Sequence, residues 1–540
     1  MFKDAVLMIR IHLHAFRYAP RSYLTALWWR LLGKKVRSRA RLAPLLSQSP
    51  LTYRLWLRSE PPLPYTSSAH SRDLSIVALI DVSGHVLAEE PRLRETLISL
   101  EAEGIVALQV GSSQTPTLAD AAQAIDWNKT PWTMPLQVGD VLAPGTAAAY
   151  RDASLQCDIK LVYADDDLID THGQRANVHF KPSWNAELFR HFDYLTGACI
   201  VQASPEDLIA ASGDGWATRL VANAVAHGAT VDHRRPEHIP HVLHHRRERP
   251  LPCIQALSGI EDVDLPLVSV IVPTRNGLDL LRTCLNGVAL TNYPRLEVIV
   301  VDNGSDDPAT LAYLDALDPT QYQVLRDPRP FNFSALNNLA VKEAKGTVIC
   351  LLNNDIEIIA PDWLKIMVRQ ALRSDVGAVG AQLFYPDGRI QHAGVVTGIC
   401  EAAAHAHRLL RSEDDGYFRR HALPQFVSAV TAAVLVVQRE RFEAVGGLDE
   451  ENFAVAFNDV DLCLRLNARG WQSLYEPRAQ LIHHESVSRG LDRDPIGAAR
   501  LASELAMLKA LWRTDKTVDP YHHPQLNKFS EHFVVKLQVP

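Results

Sequence analysis

The sequence contains no Cys-x-x-Cys pair. Its seven cysteines, Cys157, Cys199, Cys253, Cys284, Cys350, Cys400 and Cys463, are scattered, and several fall on apolar faces. That usage excludes a disulfide framework and a zinc site, and fits buried thiols in a reducing compartment. No run of eighteen apolar residues exists, so no transmembrane helix is expected. The charged start Met1-Phe2-Lys3-Asp4 precedes no signal-type core with a cleavage site, and the chain is expected in the cytoplasm. Acids are scarce at one end: residues 1–60 hold twelve Lys or Arg against Asp4 and Glu60, although the whole chain carries −7. The basic segment has no recognisable nucleic-acid reading module, so nucleic acid is not an expected partner.

What is present is a soluble globular composition, 47% hydrophobic and 22% charged, over 540 residues, enough for about three domains. Residues 1–60 mix Tyr23, Leu24, Leu27, Trp28, Trp29, Leu31 and Leu32 with Lys34, Lys35, Arg37, Arg39 and Arg41. Two readings fit. One is an interfacial helix on an anionic membrane surface, peripheral on the inner face of the plasma membrane. The other is a helical cap packed on the first domain, with Arg on its wet face.

The richest stretch is residues 268–490, centred on Leu351-Leu352-Asn353-Asn354-Asp355-Ile356-Glu357. The apolar run in residues 348–352 reads as a buried strand ending in amides and carboxylates, which places them at the carboxyl edge of a sheet. Oxygen ligands of this kind suit Mg²⁺ or Mn²⁺, and that cation suits a diphosphate. Upstream, residues 268–276 and 296–307 are two strand-then-polar-loop units in tandem, the start of a parallel sheet. Downstream, Asn458, Asp459 and Asp461 open an amphipathic helix, and a strand over residues 479–482 delivers His483 and His484.

These motifs resemble the inverting, metal-dependent family-2 glycosyltransferases of GT-A fold. Five of them occur in order: Pro-Thr-Arg-Asn at residues 273–276, Val-Asp-Asn-Gly-Ser at 301–305, Leu-Asn-Asn-Asp at 352–355, Asn-Asp-Val-Asp-Leu-Cys-Leu-Arg at 458–465, and His-His-Glu-Ser-Val-Ser-Arg-Gly at 483–490. The nearest subgroup is bacterial, builds O-antigen and other surface polysaccharides, and often uses deoxysugar donors such as dTDP-rhamnose. The resemblance implies a nucleotide-sugar donor, a saccharide or lipid-linked acceptor and a divalent metal. It makes Asp355 and His483 metal ligands, with His484 as the fallback and Glu357 as a further candidate. Asn353 replaces the first acid of the usual Asp-x-Asp, and Asn354 lies beside it. Asp459 matches the catalytic base, with Asp461 as its alternate. Asp302 matches the nucleobase-binding acid, Pro273, Thr274, Arg275 and Asn276 the loop over base and ribose, Asn338 an asparagine near the nucleotide, and Arg489 a group in reach of the diphosphate.

A damaged second copy precedes this region. Residues 74–81 repeat the look of residues 268–274, and residues 105–113 stand where 298–305 stand, with Val110 in place of Asp302. Residues 136–144, 192–202 and 241–245 echo 352–361, 426–438 and 481–484. Gln137 and Gly139 fall where metal-binding acids belong, and residues 216–220 replace the acids of 458–462, so this copy reads as a scaffold or acceptor platform. Asp165-Asp166-Asp167 aligns with the turn Pro386-Asp387-Gly388 and is expected to be a solvated turn. The expected organisation is α/β: a basic helical segment (1–60), a degenerate GT-A-like domain (70–250), a catalytic GT-A domain (265–515) and a tail (516–540). The competing reading from another class is a non-catalytic carbohydrate-binding or assembly subunit.

Overall fold

The apolar run Val348–Leu352 forms a strand buried at every position. Val348, Cys350 and Leu352 enter one hydrophobic core and Ile349 and Leu351 another, the alternation of a pleated strand covered on both faces. A computed structural model describes residues 2–63, 74–84, 91–129, 131–155, 159–230, 235–255, 265–485 and 495–537. Arg489 lies outside them, as does much of the proline-rich stretch after residue 60.

The chain opens with four helices, α1 (Phe2–Tyr18), α2 (Pro20–Leu31), α3 (Lys35–Ser47) and α4 (Leu51–Trp56). The first sheet then follows: β1 (Ile76–Asp81), β2 (Val106–Val110), β3 (Trp132–Gln137), β4 (Val141–Leu142), β5 (Leu161–Ile169), β6 (Arg175–His179), β7 (Cys199–Val201) and β8 (Glu237–Arg246). Its order is β2-β1-β3-β7-β5-β8-β4, with β6 on β5. The second half supplies β9 (Val268–Thr274), β10 (Leu296–Asp302), β11 (Tyr322–Arg326), β12 (Val348–Leu352), β13 (Ile356–Ile358), β14 (Val376–Phe384) and β15 (Ile390–His392). It continues with β16 (Val395–Thr397), β17 (Ala403–His405), β18 (Gln425–Val427), β19 (Val434–Gln438) and β20 (Gln472–His483). The second sheet runs β11-β10-β9-β12-β19-β14-β20-β13, with β15 on β14 and β18 on β20; β16 and β17 pair separately.

The two sheets share one plan. β1 pairs in parallel with β2 and β3, as β9 does with β10 and β12. β7 is antiparallel to β3 and β5, as β19 is to β12 and β14. The pairs β5·β8 and β14·β20 are both parallel and both irregular in register, and β4 and β13 close the two sheets antiparallel. The internal repeat read from the sequence is therefore a repeat of topology: two Rossmann-like units of GT-A type follow a helical N-terminal segment. The six cysteines among the described residues are free thiols. No described helix is long and apolar enough to cross a membrane.

One expectation is corrected. Asp165, Asp166 and Asp167 are not a solvated turn; they lie inside β5, fully buried, against β8. Each is paired there. Asp165 meets His238 at 2.9 Å and His523 at 2.8 Å. Asp166 meets Lys181 at 2.8 Å and Arg249. Asp167 accepts a hydrogen bond from Tyr53 Oη at 2.6 Å and meets Arg175 and His245. A buried carboxylate persists only when so compensated, and its partners come from distant parts of the chain. Beyond residue 515 the described chain packs on the rest as a strap. Tyr521, His522 and His523 are buried, and Leu526 and Phe533 join Tyr53, Trp56, Phe180 and Val396 in one hydrophobic cluster. That cluster gathers side chains from the N-terminal helices, both units and the C-terminal strap.

Candidate functional site

A cavity of about 800 Å³ opens at the carboxyl edge of the second sheet. Its wall is the loop after β9, where Pro273, Thr274, Arg275, Asn276 and Gly277 line it, and its floor carries Asn353, Asn354 and Asp355 at the end of β12. The sheet order explains the gathering: β9 and β12 are parallel neighbours, so their following loops leave on one edge. Asn354 Nδ2 donates to Thr274 Oγ1 at 3.0 Å, tying the two loops together. Asn276 Oδ1 accepts the backbone N–H groups of Asp306 and Asp307, which fixes the loop after β10 against the same wall.

β13 and β20 decide between the histidines. Ile356 lies opposite His483, so the alternation of β20 turns His483 toward the cavity. His483 Nε2 is 3.1 Å from Asp355 Oδ1 and 3.5 Å from the Asn353 amide. His484 faces away and meets Glu357 at 2.8 Å. The fallback His484 and the further candidate Glu357 thus pair with one another and do not line the cavity.

The proton on His483 can be placed from its neighbours. Gln391 Nε2 donates to Glu485 Oε2 at 3.0 Å, which leaves Gln391 Oε1 toward His483 Nδ1 at 2.9 Å. That oxygen can only accept, so Nδ1 carries a proton, and in the neutral ring the Nε2 lone pair points at Asp355. Asp355 is buried, and its Oδ1 has no hydrogen-bond partner among the described residues. Two acceptors facing one another in a buried corner fit a divalent cation between them, with Gln391 as the outer group that fixes the ligating tautomer. Burial would raise Glu485, but its hydrogen bonds from Gln391 and Tyr385 hold it below its usual range.

A second cluster with metal-ligand chemistry, Asp165, His238 and His523, differs in its tautomer. His523 Nδ1 accepts the backbone N–H of Gln525 at 3.0 Å, so in the neutral ring the proton sits on Nε2, 2.8 Å from Asp165 Oδ2. The cluster is a hydrogen-bonded clasp between the first unit and the C-terminal strap.

Asp459 lies at the start of the helix Asn458–Ala468. Its Oδ2 accepts Ala432 N–H at 3.1 Å and its Oδ1 accepts Val460 N–H at 2.8 Å. The adjoining Ala433 carbonyl accepts Asn353 N–H at 2.9 Å, so one short segment links Asp459 to the cavity floor. Burial raises the pKa of Asp459, with the backbone hydrogen bonds opposing. Asp461 is engaged elsewhere, held by Arg465 at 2.7 Å and by Trp512 Nε1 at 2.9 Å. Asn458 gives its amide to the Val455 carbonyl.

Asp302, Asn338 and Asp459 are not among the cavity-lining residues. Asp302 is buried, with one oxygen taken by Ser305 and the other by Arg326 at 2.6 Å; the lining residues of its loop are Asn303 and Asp306. Asn338 spends its amide on Leu448 and Glu450, while Phe333 and Leu336 of the same helix line the cavity.

Sequence reasoning gave no role to Gln391, Glu485 or Glu504. Glu504, in the helix Pro495–Trp512, accepts the backbone N–H groups of Val455 and Ala456 just before Asp459. Glu485 was legible in the His-His-Glu-Ser motif. Gln391 and Glu504 carried no local signal.

The first unit shows what its site has become. Asp140 stands directly before β4 as Asp355 stands before β13, so an acid is retained one residue beyond Gly139. Burial pushes its pKa up to about 6, against the opposing charge of Arg246. His245 occupies the register of His483 but turns to Asp167 at 2.7 Å.

Residues 269–445 match the family model described as Glycosyl transferase family 2. The chain carries a family 2 glycosyl transferase domain. Over 422 residues the chain is 39% identical to the uncharacterized protein y4gI of Sinorhizobium fredii, a match covering 70% of this chain and 46% of that one. It is 34% identical over 435 residues to the O-antigen biosynthesis protein RfbC of Myxococcus xanthus, covering 72% and 33%. The matched part is thus less than half the length of either relative. A match over 70% of this chain is longer than everything from Ser269 onward, so the likeness to y4gI takes in part of the first unit as well as the glycosyl transferase domain. Among solved structures, a mannosyltransferase from Pyrobaculum calidifontis in complex with GDP-Man and Mn²⁺ aligns at a TM-score of 0.36 and 21% identity, over 49% of this chain and 69% of that one.

Proposed function

We propose that the second unit transfers a glycosyl group, with inversion, from a nucleotide-diphosphate sugar to a saccharide or lipid-linked acceptor in surface-polysaccharide synthesis. The observation that carries the reading is the pairing of Asp355 Oδ1 with Nε2 of His483 at 3.1 Å, at the floor of a cavity large enough for a nucleotide sugar. Asp355 and His483 would hold a Mg²⁺ or Mn²⁺ ion, which when bound supplies charge neutralisation to the departing diphosphate. Asn353 and Asn354 orient the donor from the floor, and the loop Pro273, Thr274, Arg275 and Asn276 covers base and ribose. Asp302 and Asn338 act as positioning residues, one shaping the Asn303–Asp306 loop and the other anchoring the helix behind Phe333 and Leu336.

Asp459 acts as general base. It takes the proton of the acceptor hydroxyl as that oxygen forms a bond to the anomeric carbon and the bond to the diphosphate breaks on the opposite face. Burial of Asp459 raises its pKa and strengthens it for that task. Arg489 is proposed for the diphosphate from its motif alone. A lipid-linked acceptor places the work at the cytoplasmic face of a membrane. The test is transfer to a panel of acceptors from UDP-, GDP- and dTDP-sugars with Mn²⁺ or Mg²⁺; no donor bound and none hydrolysed under any condition would overturn the reading.

A further inference from the structure

The N-terminal helices have two apolar sides, and only one is used. Their inner side is a small core in which Ile11 and Ala15 of α1, Ala26 of α2, Leu42 and Leu46 of α3 and Leu51 pack together. α4 then docks this bundle on the first unit, where Tyr53 reaches Asp167 and Trp56 packs on Phe180. At about 100° per residue, Val6, Ile9, Leu13 and Phe16 fall within an arc of about 80°, opposite Ile11 and Ala15. All four are exposed, Ile9 by 66%. α2 repeats the arrangement: Leu24, Trp28 and Leu31 form an outer stripe opposite Ala26, with Trp28 exposed by 59% and Leu31 by 81%.

A cap sitting in water should turn its charges outward. Here aliphatic and aromatic groups occupy the outward faces of two adjacent helices, an exposed apolar patch of the kind that marks an interaction site. The charges lie at the margins. Arg10, Arg17, Arg21, Arg30, Lys34 and Lys35 are exposed around the stripes. The two acids of the segment do not neutralise them, since Asp4 is held by Arg58 at 2.5 Å and Glu60 by Arg175 at 2.8 Å. An apolar face rimmed by unneutralised cations complements one surface in particular, acyl chains beneath anionic headgroups.

We propose that the outer faces of α1 and α2 form a docking surface for an anionic bilayer. Leu24, Trp28, Leu31, Ile9, Leu13 and Phe16 enter the headgroup boundary, and the surrounding arginines and lysines contact lipid phosphates. The inference deepens the reading above and rests on it for the cytoplasmic leaflet as the site of the acceptor.

The test is flotation of the full-length chain with vesicles of phosphatidylcholine alone or with 30% phosphatidylglycerol, a composition chosen to span typical anionic content. Binding to the anionic vesicles should exceed binding to neutral ones by about tenfold or more and should weaken in high salt. The triple variant Leu24→Ser, Trp28→Ser, Leu31→Ser should lose about tenfold in vesicle affinity, while Arg10→Glu with Arg17→Glu should lose the preference for anionic lipid. Nucleotide-sugar binding, followed in the same preparations, should be unchanged in both, which also shows that they fold. Wild-type indifference to both vesicle types overturns the inference while intact donor binding leaves the glycosyl-transfer reading standing. A dimer in solution that the triple variant dissolves, with no vesicle binding, overturns it in favour of a second copy of the chain. Vesicle binding with no donor binding supports the docking surface and sinks the transfer reading alone.

Discussion

Glu504 accepts the backbone N–H of Val455 at 2.8 Å and that of Ala456 at 3.1 Å, four and three residues ahead of Asp459. The helix Pro495–Trp512 therefore holds the loop that leads into the helix bearing the proposed base. Trp512 of the same helix grips Asp461. The base-bearing helix is fixed from outside the sheet.

Glu504→Ala should accordingly lower kcat about ten- to a hundredfold with little change in donor KM, because a misplaced base loses transition-state alignment and not ground-state binding. Glu504→Gln keeps one acceptor oxygen and should recover most of the loss. Equal damage from both changes, or a rise in KM alone, would argue against a positioning role.

Asp459→Asn removes the proton acceptor with almost no change in shape. Turnover should fall about 10²–10⁴-fold while donor affinity survives. The base works deprotonated, so the wild-type rate falls as pH drops through its pKa. Burial raises that pKa, which sets the acid limb of the pH profile above the usual aspartate range. Unchanged turnover in Asp459→Asn would remove this residue from the chemistry.

Asp355→Ala should weaken binding of a nucleoside diphosphate measured with Mn²⁺, and EDTA should abolish transfer. Gln391→Leu leaves both proposed ligands in place but frees the His483 tautomer. Its metal affinity should fall about 10–100-fold, with activity restored at high Mn²⁺. Calorimetry of Mn²⁺ binding separates the two variants; a Gln391→Leu protein with wild-type affinity would sink the tautomer argument.

Asp165→Ala and Asp166→Ala should fail by unfolding and not by loss of metal. Asp166→Ala leaves Lys181 buried without its partner, a loss of about 3–5 kcal/mol. Thermal melting checks this: a melting point within a degree or two of wild type would mean that the cluster adds no stability.

Acid should weaken the fold well above the carboxylate range. His179, His244, His392 and His407 are held well below their ordinary pKa by burial, and His522 is pushed down to about 3. Below pH 6.5 the unfolded chain protonates these rings and the folded chain does not, so stability is lost as pH falls. Each such histidine costs about 1.4 kcal/mol by pH 5.5. Melting followed from pH 8 to 5.5 should show a steady decline, shallower in His179→Phe, whose ring sits between Phe192 and Phe418. A flat profile would contradict the neutral state of these rings.

Much of this protein was legible in its residues. Local alternation and strand-ending polar clusters marked β9, β10 and β12, and five motifs in order marked the second unit as a family 2 domain. The tandem repeat was also visible, because two units with the same sheet order need similar hydrophobic spacing even where the chemistry has gone. Sequence spacing could not say which way a side chain turns once strands from far apart are paired. Pairing β13 with β20 is what turned His483 inward and His484 outward. Pairing β5 with β8, and folding residues 521–523 back across the first unit, made Asp165, Asp166 and Asp167 a buried clasp where the linear pattern suggested a wet turn. Periodicity in α1 and α2 showed apolar residues but not which side met the rest of the protein. Only packing decided that, because a helix buries the face its neighbours reach, and here they reached the side of Ile11, Ala15 and Ala26 and left the other open.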